Sequence, residues 1–251
     1  MLKFEDEQHL SGLIGGGLAA ADWCEIGSLP KPPPDVHAAA GNGPLRPAFV
    51  RPLGIAGYVL AAPVWLVVAA WGAIEVLFEL VFGVFTIKKN RRLNREAEQR
   101  KAEIAAHGLN EVFDGDWNAA AGQLLLRWYS QSSHPKRLVL IAPGRIVLAG
   151  PPKRVTLGAL DESDVLYEIP GDQAVIEDPL IGRLETDRFR IRFFDGSWIV
   201  LKVTGKPSDI HAQLEVMATK GGSNPDGLPV AVGPPLPLPE RRPIEPPPQV
   251  D

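Results

Sequence analysis

The sequence predicts an α+β protein. It reads as a membrane helix followed by a small barrel or sandwich of about seven antiparallel strands, with helices flanking the strands. Three observations carry this reading. Residues 53–87 form an apolar run interrupted only by Glu75 and Glu79, seven Lys/Arg follow it within residues 88–101, and short apolar segments punctuated by Gly and Pro fill 136–203. A ~20-residue apolar helix crosses ~30 Å of hydrocarbon, while short apolar runs between turn residues read as strands.

Residues 1–52 are rich in Gly and Pro and read as a flexible N-terminal region. "IGGGLAA" lacks the Gly-Lys-Ser/Thr of a phosphate loop, and "MLKFEDEQHL" opens acidic, unlike a secretory signal. Cys24 is the only cysteine, so no intramolecular disulfide forms.

From Leu53 to Ile74 there are 22 residues without a charge, which reads as a span. Residues 75–87 then read as an interfacial extension. The run of 35 residues is too long for one upright crossing and too short for two. A re-entrant hairpin bent near Pro63 or Gly72 is the alternative, and it leaves both ends on one side. Glu75 and Glu79 read as headgroup-level residues.

The basic cluster is Lys88, Lys89, Arg91, Arg92, Arg95, Arg100 and Lys101, against Arg46 and Arg51 on the preceding flank. The positive-inside rule predicts a single-pass protein of the cell membrane with its C-terminal domain in the cytoplasm. Lys88, Lys89, Arg91 and Arg92 are candidate contacts for anionic lipid. Residues 88–109 read as a solvated helical stalk with Gly108 as its stop.

Residues 110–218 read as the folded domain. Trp117, Ala120, Ala121, Leu124, Leu125 and Trp128 share a helical face, with Asp116 as cap. "RLVLIAPGRIVLAG" reads as a hairpin about Pro-Gly. Short strands are expected near 154–157, 165–169, 174–177 and 182–185. In "RFRIRFFDGSWIVLKV" a three-residue loop, Phe194-Asp195-Gly196, sets Ile191 opposite Ile199 and Phe189 opposite Leu201. The other face then carries Arg188, Arg190, Arg192, Trp198 and Lys202. These four cations are candidate contacts for an anionic lipid surface or an acidic protein. A final helix follows Pro207, with Ile210, Leu214 and Met217 on its buried stripe.

This order of helix, short strands and helix over residues 117–218 resembles the pleckstrin-homology-like folds, including the GRAM and bacterial PH-like families. The resemblance implies two nearly orthogonal antiparallel sheets closed by the C-terminal helix, and a binding or scaffolding module for membranes or proteins. Inositide-binding members carry basic residues around an extended loop between their first two strands. Here that connection reads as "APGR", with Arg145 its single charge. A lipocalin-like barrel is the structural alternative.

Nothing points to catalysis, a metal or a cofactor. The five histidines share no ligand spacing, and "DESD" at 161–164 reads as a turn. Residues 219–251 hold ten prolines in 33 residues and read as a disordered tail that either links or docks into an aromatic groove. The expected function is a membrane-anchored adaptor. Its alternatives are a non-catalytic subunit of a membrane complex and, more weakly, a catalytic module with a barrel pocket. No nucleic-acid partner is expected.

Overall fold

The computed structural model describes residues 4–48, 87–155, 158–205, 207–219 and 228–230. The strand that organises it is β1 (Ala20–Ile26), which lies inside the region read as flexible. Its partners are β2 (Lys136–Ala142) on one side and β7 (Trp198–Val203) on the other. Beyond β2 come β3 (Arg145–Gly150) and β4 (Asp164–Pro170), and beyond β7 come β6 (Arg188–Phe193) and β5 (Ala174–Glu177). All neighbours are antiparallel, in the order β4-β3-β2-β1-β7-β6-β5. The helices are α1 (Phe4–Ile14), α2 (Pro34–Ala39), α3 (Ile87–Ala106), α4 (Ala120–Trp128) and α5 (Asp209–Thr219).

Two corrections to the expected fold class follow. Among the described residues no helix is long and apolar enough to cross a membrane. The expected membrane helix over 53–87 lies, apart from Ile87, outside the described residues. The seven strands also form one continuous sheet, and its seventh member is β1. No strand forms at 154–155 or 182–185, where the chain makes a loop and a turn. Residues 156–157 are outside the described set.

The position of β1 has a topological consequence. The first inter-strand connection is not Ala-Pro-Gly-Arg but the whole segment from Gly27 to Pro135. The chain before residue 49 and the chain after residue 86 therefore contribute strands to the same sheet. Both flanks belong to one folded unit, which a single membrane crossing between them would split.

Alternation explains the core. Phe189 and Ile191 face Leu201 and Ile199 across the β6–β7 pair, in the register the sequence predicts. The turn works because Gly196 takes φ 91° and donates to Phe193 O at 3.0 Å. These side chains join Val139, Ile141, Ile146 and Leu148 beneath α4 and α5. Each such side chain contributes about 1.5–3 kcal/mol when fully buried. The opposite face of β1–β3 buries Ala21, Leu138, Leu140 and Val147 against Leu10 and Ile14 of α1. That second layer explains why β2 is apolar without alternation.

The helix starts are held by distant residues. Ala120 N–H donates to Asp195 at 2.8 Å and Ala121 N–H to Ser197 Oγ at 3.0 Å, so the β6–β7 turn caps α4. Asp116 instead accepts from Asn118 N–H. At α5, Asp22 of β1 accepts from Ser208 Oγ at 2.7 Å and Ile210 N–H at 2.8 Å. These bonds only partly offset its burial, and its carboxyl stays above the usual range.

Asp114 gives a pH prediction. Burial, with Asp116 and Asp195 nearby, pushes its carboxyl up to about 6. A folded pKa above the unfolded value of about 3.9 means ionisation opposes folding. Stability then declines as pH rises from about 4 through 6. Solvent screens part of the group, so the penalty at neutral pH is about 1 kcal/mol. Asp114→Asn should therefore raise the unfolding free energy by about that much at pH 7.5 and leave it unchanged at pH 4. Equal urea midpoint shifts at the two pH values would refute the titration.

Candidate anion-binding end of the sheet

Antiparallel pairing gathers strand ends. The staggered register sets one row across four strands: Arg188 of β6 pairs with Lys202 of β7, Lys202 with Glu25 of β1, and Glu25 with Lys136 of β2, where β3 also ends. The cations there are Lys136, Arg188 and Lys202, with Lys153 and Arg154 in the loop after β3. Glu25 and Asp187 lie among them. Lys202 Nζ stands 3.8 Å from Glu25 and 3.7 Å from Asp187, and Arg188 Nε 3.7 Å from Asp187. Such long, solvent-screened contacts hold their charges weakly, at ~0–1 kcal/mol.

Two adjoining clefts open here. The larger, about 570 Å³, is lined by Trp23, His134, Lys136, Arg154 and Thr204, among others. The smaller, about 410 Å³, is lined by Glu25, Lys136, Asp187 and Lys202, among others. Lys136 stands between them. His134 packs with its ring centroid 6.1 Å from that of Trp23. Burial lowers its pKa, and Arg137 and Arg154 lower it further.

The inserted segment departs from and returns to this end. Ala48 N–H donates to Ser133 O at 3.2 Å, and Arg154 Nη1 donates to Ala48 O at 2.7 Å. On the return, Arg188 Nη1 donates to Leu109 O at 2.7 Å and to Asn110 Oδ1 at 3.2 Å. Leu109 is buried against Leu180, Trp198 and Val200. Arg188 therefore fixes the foot of α3 to the sheet.

Lys88, Lys89, Arg91 and Arg92 fall in the first two turns of α3, where there is no acidic residue. Cations there oppose the helix macrodipole. Further along, residues 94–103 are exposed, including Arg95, Arg100 and Lys101.

The face expected to carry four open cations is divided. Arg188 and Lys202 lie at the basic end, but Arg190 and Arg192 do not join them in solvent. Arg190 Nε donates to Glu177 Oε1 at 2.6 Å and Arg192 Nε to Glu177 Oε2 at 3.0 Å. Arg190 is buried and lies over the Trp198 ring, 5.7 Å from its centroid. The pairing follows from register, because Glu177 of β5 stands opposite Arg190.

Sequence reasoning missed Lys136, Lys153, Arg154 and His134, because it did not place their strand ends beside β1. The available signal was "AADWCEI", whose apolar residues recur along β1. Among the described residues no group of three or more His, Cys, Asp or Glu is placed to hold a metal ion. Cys24 is buried, and burial pushes its thiol well up, which makes it a poor nucleophile.

No protein-family model, curated protein or solved structure matches the chain.

Proposed function

We propose that this protein is a non-catalytic adaptor of the pleckstrin-homology-like kind, whose domain lies against an anionic membrane surface. The observation that carries the reading is the convergence of cations along one row across β2, β1, β7 and β6. Lys136, Arg154, Arg188 and Lys202 gather where the chain departs toward the apolar run and where α3 is rooted. Lipid headgroups would supply the anions that the first turns of α3 lack. Cations near such a surface contribute roughly 1 kcal/mol each, and an apolar segment adjoining them adds to the attachment.

Flotation of the full chain with sealed vesicles tests this. Binding should require anionic lipid and weaken as salt rises. Arg154→Glu with Lys202→Glu should weaken it at least tenfold at low salt, since two attractive charges become repulsive. Arg190→Met is the contrasting variant, because Arg190 is held inside by Glu177. Equal flotation on neutral vesicles, or no response to the double reversal, would overturn the anionic-lipid reading and leave an acidic protein as the partner of the same cations.

A further inference from the structure

The far edge of the sheet offers a site of another kind. β5 is the terminal strand, and a separate piece of chain sits on its outer side. Ile176 N–H donates to Pro229 O at 2.8 Å, and Ile176 bridges Val230 in parallel. Leu228 and Val230, 5% and 7% exposed, enter the main core. Val230 N–H donates back to Leu228 O at 2.8 Å, so the triplet bends tightly at Pro229. Proline suits that position. Its φ is fixed near −65° and it has no N–H to leave unpaired on the outer edge.

What is recognised is local. One backbone carbonyl meets the Ile176 N–H, and two aliphatic side chains fill hollows on either side of a proline. Any peptide reading Leu-Pro-aliphatic can present these groups. The C-terminal segment carries a second one, Leu236-Pro237-Leu238, eight residues beyond the first. The seated triplet is separated from α5 by residues 220–227, which include three glycines.

We propose that the outer edge of β5 is a docking site for Leu-Pro-aliphatic peptides of a partner protein, and that Leu228-Pro229-Val230 holds it closed from within the same chain. A tethered segment acts at millimolar effective concentration. A partner peptide therefore competes with the occupant already in place. This inference is independent of the membrane reading, because the β5 edge uses none of the cations at the basic end.

The test opens the site after folding. A protease site placed within residues 221–226 of the full chain is cut in the folded protein, which is then diluted. Exchange of the Ile176 amide should rise at least tenfold. A labelled peptide of residues 227–232 should bind with saturation and restore protection. A peptide of residues 235–240 should bind within about tenfold of it. The 227–232 peptide carrying Leu228→Asp and Val230→Asp should not bind. Two results would overturn the proposal: an Ile176 amide that stays protected after cutting with no uptake of peptide, or lost protection that no peptide restores. A concentration-dependent dimer of the uncut chain, with Ile176 protected, would assign the site to a second copy and overturn the partner reading.

Discussion

Arg137→Met is expected to destabilise the domain by about 3–5 kcal/mol, near the limit of what one substitution does. Arg137 lies on β2 with its side chain fully enclosed, 2% exposed. Its partners are backbone carbonyls. Nη1 donates to His134 O at 2.6 Å and to Lys136 O at 3.0 Å, and Nη2 donates to Ser132 O at 3.0 Å and also to Trp128 O. Trp128 ends α4, so the guanidinium also sits at the negative end of that helix. Its carbon lies 4.8 Å from the Trp128 ring centroid. Burial lowers its pKa to about 10, so it remains charged at neutral pH. Methionine keeps the apolar stem and removes every donor, so the carbonyls of Trp128, Ser132 and His134 lose the guanidinium that they accept from. Arg137→Lys should recover only part of the loss, since one ammonium cannot reproduce a planar fork. Urea unfolding of the three proteins measures this, and a loss below about 1 kcal/mol for the methionine variant would refute the role.

Legibility followed the range of the interactions. The β6–β7 register was readable because Phe-Asp-Gly and the alternation on either side determine it within sixteen residues. The β2–β3 hairpin was readable for the same reason, since its partners are separated by Pro143-Gly144. β1 was not, because its partners begin 110 residues later and its neighbours are Gly- and Pro-rich. With β1 misplaced, the first connection was misread, and so was the set of cations at the strand ends. The caps of α4 and α5 were missed because Asp195, Ser197 and Asp22 act across the fold rather than within the helix. Glu177 escaped notice because a carboxylate's partner depends on a register that four residues of β5 do not specify alone.

Cysteines placed before and after the apolar run are expected to report the same side of a sealed membrane. Ala39→Cys lies on α2 before the run, and Asp172→Cys lies in the β4–β5 turn after it. Both positions are exposed. Cys24 is fully enclosed and contributes little background with a membrane-impermeant maleimide. The reasoning is energetic. β1 pairs with β2 over six residues, from Ala20–Ile141 to Glu25–Lys136, and with β7 over three. An odd number of crossings between residues 48 and 87 would strip β1 from both neighbours. It would also remove Asp22 from the start of α5. That amounts to losing the fold, a cost comparable to a whole domain's 5–15 kcal/mol, and no orientation preference from loop charges approaches it. On the membrane reading proposed above, Arg46, Arg51 and the seven cations from Lys88 to Lys101 would then lie on one side together, the side that the positive-inside rule expects to be cytoplasmic. Both cysteines should label when that side faces the reagent and neither when it is enclosed. Labelling of one with protection of the other, in the same vesicles, would mean that β1 does not pair with β2 in the membrane-bound protein.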